Sequence, residues 1–382
     1  MSSPQHTQLT DIVTNPLFAQ YVDEAVAQHS QLVMSGIVQD DVLGYDVPPN
    51  TRTVDVPFWP DLDASDDEVV STAGEALTSA KVQASKDQAT TILRSKEWSW
   101  SQFTSMYGQG IGGDPADYLA RKLGDWQVKR ELAILLAILT GVFTRNAAKT
   151  PGVDVGTSGD LIFDITGANG NAAFLQRSTL VWAKQKLGTA RGTLTGIICP
   201  SIFATELKTL DPLNYQDQKT DERGFVTELA KYDGLNIIED DSLPYDPSTG
   251  IVTAYLFGRG AIARQRLSVE HAIEQYRNPN RSLEFLIRRF RMLLHPRGYA
   301  WIGTASAETP SNSELAAATN WKQVYETKNC RFIQMSCKLR GAAFEPSIHV
   351  TVDGTVKTQD VDGSDASASG SGSGSGSGSA SH

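Results

Sequence analysis

From Thr51 onward, apolar and polar residues alternate every second position. Val54, Val56 and Phe58 face one way and Thr53, Asp55 and Pro57 the other, which predicts a strand with one buried face. The strand stops at Trp59-Pro60 and an acidic, small-residue stretch follows, DLDASDDEVVSTAGEALTSAK. The segment KVQASKDQATTILRSKEWSWS then predicts a second long, largely polar strand. Together they read as a two-stranded flap with little core of its own. An isolated hairpin is marginal in water, and ordering roughly 50 residues costs on the order of 50 kcal/mol of backbone entropy, so the flap must draw its stability from elsewhere.

The pattern changes to helical spacing in GDPADYLARKLGDWQVKRELAILLAIL. Asp114 is a good N-cap, Pro115 suits the first helical position, and Leu119, Leu123, Trp126, Leu132, Leu135, Leu136 and Leu139 form an apolar stripe. The expected helix runs from Asp114 to about Leu139, roughly 39 Å at 1.5 Å per residue, with Gly141 as its stop. Its second half is apolar nearly all round, so it must be covered on most sides. A looser amphipathic helix is expected upstream, from about Pro16 to Val33, as part of an N-terminal arm.

Downstream, a Gly- and Asp-rich linker contains a short strand, Leu161 to Ile165, and leads into a mixed α/β unit. A helix is expected from Ala172 to Leu187, closed by Gly188. A buried strand follows from Thr193 to Cys199, then a helix, SIFATELKTL, capped by Ser201, and strands at Gly234 to Glu239 and Ile251 to Phe257. Residues 265–303 predict a long hairpin turning at Asn278-Pro279-Asn280. A helix in SNSELAAATNW and strands in CRFIQMSCKLR and SIHVTVDG complete the pattern, and a flexible Gly/Ser tail ends the chain.

Charge adds one feature. The chain of 382 residues carries a net charge of -10, but residues 1–80 alone hold thirteen acids and a single base, Arg52. That distribution argues against a protein whose main role is to wrap nucleic acid and suits a segment that is solvated or meets basic surfaces of neighbours. Three scattered cysteines, Cys199, Cys330 and Cys337, predict buried thiols rather than a disulfide framework. No run is long and apolar enough to cross a membrane, and the opening residues lack the pattern of a secretory signal, so a cytoplasmic protein is expected.

Candidate chemistry is sparse. The Gly108 to Gly113 cluster precedes a helix, but Asp114 and Asp117 would repel a phosphate there and no Lys-Ser/Thr follows. Asp61, Asp63, Asp66, Asp67 and Glu68 lack the glycine and terminal glutamate of a calcium loop and read as a solvated acidic tip. His271 and Glu274 have metal-like spacing without a second histidine. Asp240-Asp241 reads as a turn after a strand. Arg277, Arg281, Arg288, Arg289, Arg291 and Arg297 form one basic stretch, expected to make salt bridges between subunits or weak contacts with nucleic acid. No cofactor, metal or catalytic residue is expected.

The order of these elements resembles the major capsid proteins of tailed bacteriophages, with VDVPFWPDL, ILLAILTGVF, TGIICPSIFATELKTL, GLNIIEDDSLP, LHPRGYAW and SNSELAAATNWKQVYETKNCRFIQM as the pieces that carry the likeness. The resemblance implies an α+β, Hong Kong 97-like fold. Its parts would be an N-terminal arm (1–50), an extended loop (51–100), a spine helix (101–154), an axial domain (155–262), a peripheral-domain hairpin with C-terminal strands (263–352) and the tail (353–382). It further implies hexamers and pentamers closing into an icosahedral shell around double-stranded DNA, in a virion assembled in the cytoplasm of a prokaryotic host. The expected partners are other copies of the chain, a separate scaffolding protein, a portal and a decoration protein, with weak contact to DNA. Nothing marks Lys81, Lys86 or Lys96 as a crosslinking residue. Subunit contacts are expected at Val54, Val56, Phe58, Trp59, Trp98, Trp100, Arg288, Arg289 and Arg291. The competing readings are an encapsulin-like nanocompartment shell and a soluble α/β enzyme built on residues 155–260.

Overall fold

A single α-helix, α1 (Pro115–Ala147), spans 33 residues, about 50 Å. It belongs to a computed structural model that describes residues 35–40, 51–60, 84–101, 115–220 and 226–340. The expected arm helix, the acidic loop tip, the Gly108 to Gly113 cluster, the SIHVTVDG strand and the tail lie outside the described residues.

The helix runs straight through Gly141, where the sequence suggested a stop. A Cβ at that position would lie 2.2 Å from the Leu315 carbonyl oxygen and 2.7 Å from Trp321 Nε1. The indole N–H of Trp321 donates to that same carbonyl at 2.7 Å. Gly141 is therefore a point of close approach inside the helix, and the helix ends six residues later, shortly before Pro151. The apolar second half is covered as expected, with Leu132, Ile134, Leu135, Ile138, Leu139, Val142 and Phe143 all buried.

Two sheets flank this helix. The strands are β1 (Val38–Asp40), β2 (Thr53–Phe58), β3 (Ser85–Ser101), β4 (Ile162–Asp164), β5 (Leu194–Cys199), β6 (Ala230–Tyr232), β7 (Leu235–Glu239), β8 (Tyr245–Asp246), β9 (Ile251–Gly258), β10 (Ile262–Leu267), β11 (Ile273–Asn278), β12 (Leu283–Pro296), β13 (Tyr299–Trp301), β14 (Trp321–Gln323) and β15 (Phe332–Lys338), with β13 and β14 paired only to each other, besides a small ribbon of Lys219–Thr220 with Val226–Glu228. The first sheet has the order β1-β10-β12-β3-β2, with β11 also paired to β12; the second has the order β4-β15-β9-β5-β7-β6, with β8 beside β9. The strand of residues 332–338, which the sequence grouped with the 263–352 segment, thus lies between strands of the 155–262 segment.

The second sheet and the C-terminal half of α1 share one apolar core. Phe143 stacks on Tyr255 at 5.5 Å and meets Phe332 edge-on at 5.7 Å. At the end of the helix, buried Asn146 donates from Nδ2 to Asp160 Oδ1 at 2.7 Å and to the Tyr299 hydroxyl at 2.9 Å, while its Oδ1 accepts from Leu161 N–H at 3.3 Å. Lys149 Nζ reaches Asp160 at 2.7 Å, and Thr327 also donates to that carboxylate. Burial alone would raise Asp160, but the hydrogen bonds from Lys149, Thr327 and Asn146 prevail and hold it below the usual carboxylate range. The three cysteines are buried free thiols.

Several local expectations change. The helix expected over residues 172–187 is a short 3-10 turn, then α2 (Arg177–Lys184), then a 3-10 run kinked at Gly188, whose φ of +57° suits only glycine comfortably. Ser201 does not cap α3 (Ser201–Leu210) but is its first residue. Its N–H and Oγ–H both donate to Asp241 Oδ1, at 2.9 and 2.6 Å, so a carboxylate from the turn after β7 satisfies the helix start.

Candidate assembly surface

The two period-two segments form an antiparallel ribbon in which Thr53 faces Thr90 and Phe58 faces Ser85. Exposure along β2 alternates as the pattern required, with Val54, Val56 and Phe58 half-buried. The ribbon is less self-contained, and less polar in its setting, than expected. Residues 85–90 of β3 pair with β2, whereas residues 91–101 pair with β12, from Leu293 opposite Thr91 to Leu283 opposite Ser101. Its middle is buried, Asp87, Ala89, Thr90, Thr91 and Ile92 included.

At the outer end of the ribbon, Phe58 meets Tyr325 edge-on at 4.4 Å, and Trp59 stands 69% exposed. Both line a cleft of about 380 Å³ together with Val155, Arg297, Tyr325 and Arg331. At the inner end, the aromatic residues turn inward. Trp98 is half-buried and packs edge-on against Trp126 of α1 at 5.0 Å, and buried Trp100 donates from Nε1 to Glu284 at 3.1 Å.

The arginines divide in the same way. Arg288 is 2% exposed and donates from Nε and Nη2 to Gln127 Oε1 at 3.3 and 2.9 Å. Arg289 pairs with Glu274 at 2.8 Å, and Arg291 Nη2 donates to the Thr51 carbonyl at 2.5 Å. Arg277 and Arg281 are exposed. Of the residues expected at subunit contacts, Trp100 and Arg288 have side chains enclosed by their own chain. Val54, Val56, Phe58 and Trp59 remain on or near the surface.

Two buried polar groups escaped the sequence reading. Asp87 lies 3.0 Å from His295 Nε2, both side chains being almost fully enclosed, and also accepts from Gly298 N–H at 3.1 Å. Burial pushes Asp87 up, but His295 and the backbone donors outweigh it and the carboxyl sits below its ordinary value. The second group joins α1 to the first sheet: Arg264 Nη2 donates to Glu131 Oε2 at 2.8 Å, and Gln127 Nε2 to Glu131 Oε1 at 3.2 Å. One signal was available, since Gln127 and Glu131 interrupt the apolar row Leu123, Leu135 at four-residue spacing.

The ends of β5 and β7, where an α/β enzyme would place its site, are occupied structurally. Asp241 holds the start of α3, and Asp240 accepts from Ser242 N–H at 2.8 Å. Tyr215 is pushed up to about 12, first by burial and then by Glu239. His271 has a left-handed backbone and Glu274 is engaged by Arg289. Among the described residues, no three His, Cys, Asp or Glu side chains converge as a metal site, and no helix is long and apolar enough to cross a membrane.

A spine helix crossing between a ribbon-bearing sheet and a mixed α/β sheet is the arrangement of a Hong Kong 97-like fold. The structure is similar to the capsid of Ralstonia phage GP4, with a TM-score of 0.50 and 9% identity over 82% of this chain and 90% of that one. It is likewise similar to the cyanophage Pam1 capsid asymmetric unit, with a TM-score of 0.50 and 10% identity over 88% and 95% of the two chains. In sequence, the chain is 29% identical over 342 residues to the major capsid protein of Bacillus phage SPP1, covering 88% of this chain and 99% of that protein. No family model matches. Fold and sequence together support a major capsid protein of a tailed phage, and neither the nanocompartment nor the enzyme reading is favoured.

Proposed function

We propose that this chain builds the icosahedral head shell of a tailed phage, assembling as hexamers and pentamers around double-stranded DNA, and that the β2–β3 ribbon carries the contact between neighbouring subunits. The observation that carries the ribbon assignment is its outer end, where Trp59 is 69% exposed beside an open cleft although the rest of the ribbon is tied into its own sheet. An exposed tryptophan at the edge of a cleft is the type of residue that anchors protein contacts. The arm (1–50) and the extended loop (51–100) supply the contacts that reach neighbours, residues 155–262 form the axial domain, and residues 263–352 contribute to the peripheral domain. Exposed Arg277 and Arg281 suit weak, sequence-independent contact with packaged DNA. A separate scaffolding protein, a portal and a decoration protein complete the virion, which is assembled in the cytoplasm of a prokaryotic host. The subunit acts through its interfaces and performs no catalytic step.

The test is electron microscopy of the purified protein, with and without the co-expressed scaffold gene, on the parent and on a ribbon deletion. The burial of residues 87–92 defines the cut: removing 61–83 leaves Trp59-Pro60-Ala84 to join Phe58 to Ser85, the last pair of the ribbon. The parent is expected to give uniform shells, and the deletion a soluble subunit that does not close them. Normal shells from the deletion would remove residues 61–83 from assembly and leave the contact to Trp59 and the strands that the deletion retains, and a stable small monomer from the parent under both conditions would overturn the shell.

A further inference from the structure

The cleft beside Trp59 contains two arginines whose positions are set by the ends of strands. Arg297 follows β12, and its N–H donates to the Ala261 carbonyl at 3.1 Å. Arg331 precedes β15, and its carbonyl accepts from Gly258 N–H at 2.6 Å. Phe58 and Tyr325, packed edge-on at 4.4 Å, give the same cleft a firm aromatic wall. Neither guanidinium has a carboxylate of its own. Among the described residues, Arg297 enters no side-chain hydrogen bond or ion pair, and Arg331 donates to one backbone carbonyl, that of Arg259, at 3.2 Å. Glu326, the carboxylate in the cleft lining, is engaged by Lys328 at 2.9 Å. Asp87 attracts Arg297 from behind but is enclosed against His295 and the Gly298 N–H. Even with Asp87 set against Arg297, the charge of Arg331 is unmatched.

Burial holds Arg297 below its ordinary value and the charge of Arg331 adds to this, against Tyr325 and Asp87. A half-buried guanidinium without an acceptor has given up water and gained no partner. A carboxylate supplies what is missing, because its two oxygens match the planar fork of an arginine. The aromatic wall suits the apolar part of the chain that carries the carboxylate. A nucleic-acid backbone fits less well, since it needs a track of cations, and beyond this pair the lining is mostly apolar, with Pro60, Val155 and Val324. A second copy of the chain meets the requirement. It carries 44 acids against 34 bases, and the reading of the ribbon as the contact between neighbouring subunits, on which this inference rests, brings another copy to the cleft.

We propose that Arg297 and Arg331 are a carboxylate-binding pair for an acidic side chain of a second copy of this chain, seated against Phe58 and Trp59. The contact at the outer end of the ribbon is then ionic as well as aromatic. Trp59 supplies contact area, and the arginines select which surface of the neighbour is accepted.

The experiment compares the full-length parent with Arg331→Gln and with Arg297→Gln/Arg331→Gln, measuring the yield of empty shells by sedimentation and the melting temperature of the unassembled subunit. Arg331 is exposed, so its single variant is expected to keep the parent's melting temperature and to lower shell yield about tenfold, the loss of one charge-assisted contact per interface. The double variant is expected to lower the yield further. Should it lose its fold, Arg331→Gln decides alone. Parent-level yields from folded variants would overturn the proposal and leave the shell intact. A defect confined to DNA-filled heads would give the arginines to nucleic acid and overturn it equally. No shells from the parent would overturn the shell reading itself, and this contact with it.

Discussion

The two sheets of this subunit share one apolar core with α1 and differ in what else they bury. The sheet of β9, β5 and β15, with the second half of α1, is enclosed by aliphatic and aromatic side chains, and one cluster of its buried polar groups lies around Asn146 and Asp160. The sheet of β12 and β3 has a smaller apolar cluster of its own, Trp100, Leu123, Ile273 and Leu286, and its interior also contains Asp87 with His295 and Arg264 with Glu131. Apolar burial is non-directional and tolerates small movements, whereas a buried ion pair holds only one geometry and is weak evidence for net stability. The ion pairs are thus the feature that distinguishes the ribbon-bearing sheet.

The strongest way to break the contrast is to place a charge in the apolar region. Leu132→Asp sets an unpaired carboxylate on a side chain 8% exposed and is expected to cost about 4 kcal/mol or more, removing the protein from the soluble fraction. Leu136→Asp, on a half-buried side chain, should retain soluble protein, which expression and fractionation of the pair will show.

Gly141→Ala tests the same region by volume alone. The added methyl meets the Leu315 carbonyl, a backbone atom that cannot rotate away, so a loss of about 3 kcal/mol is expected in urea unfolding despite the better helix propensity of alanine. A stability gain would show that α1 and Trp321 part easily.

Acid sharpens the comparison from the other side. Asp87 and Asp160 both lie below their ordinary value in the folded protein, so the stability they contribute is complete above about pH 5 and is lost as the pH falls through their folded values. Melting temperatures recorded from pH 7 to pH 3 should therefore decline at the acid end, and Asp87→Asn should flatten the decline in part, leaving the share of Asp160. An identical slope in parent and variant would mean that the ribbon sheet contributes nothing to acid sensitivity.

The smallest effect on the isolated subunit is expected at the surface. Trp59→Ser should change the stability of the monomer by less than about 0.5 kcal/mol while reducing shell yield, as measured by sedimentation of assembled particles. A variant that assembles like the parent would move the contact elsewhere on the ribbon.

What could be read from the sequence follows from the same division. Period-two and period-3.6 patterns report which face meets apolar matter, so β2, α1, β5, β9 and β12 were legible, as was the burial of the cysteines. Gly141 was misread because glycine signals both a helix end and a close approach, and only the partner, Trp321 far along the chain, distinguishes them. The β3 segment SKDQATTIL looked solvent-facing because its polar residues find partners distant in sequence: Asp87 is matched by His295, and Leu93 N–H donates to the Thr309 hydroxyl at 3.4 Å. The burial of Trp100 and Arg288 within the chain was likewise not legible. Nothing local records that Glu284 and Gln127 wait for them.

The split pairing of β3 also has a mechanical meaning. Its 17 residues extend about 56 Å, gripped by β2 over one third and by β12 over the remainder. A load applied at Trp59 meets the β2–β3 ladder at its last pair, Phe58 with Ser85, whereas a load travelling along β3 meets the eleven registered pairs with β12 lengthwise. The six pairs with β2 are therefore the lesser hold on β3 and the eleven with β12 the greater, so the strand is anchored in the subunit chiefly by β12.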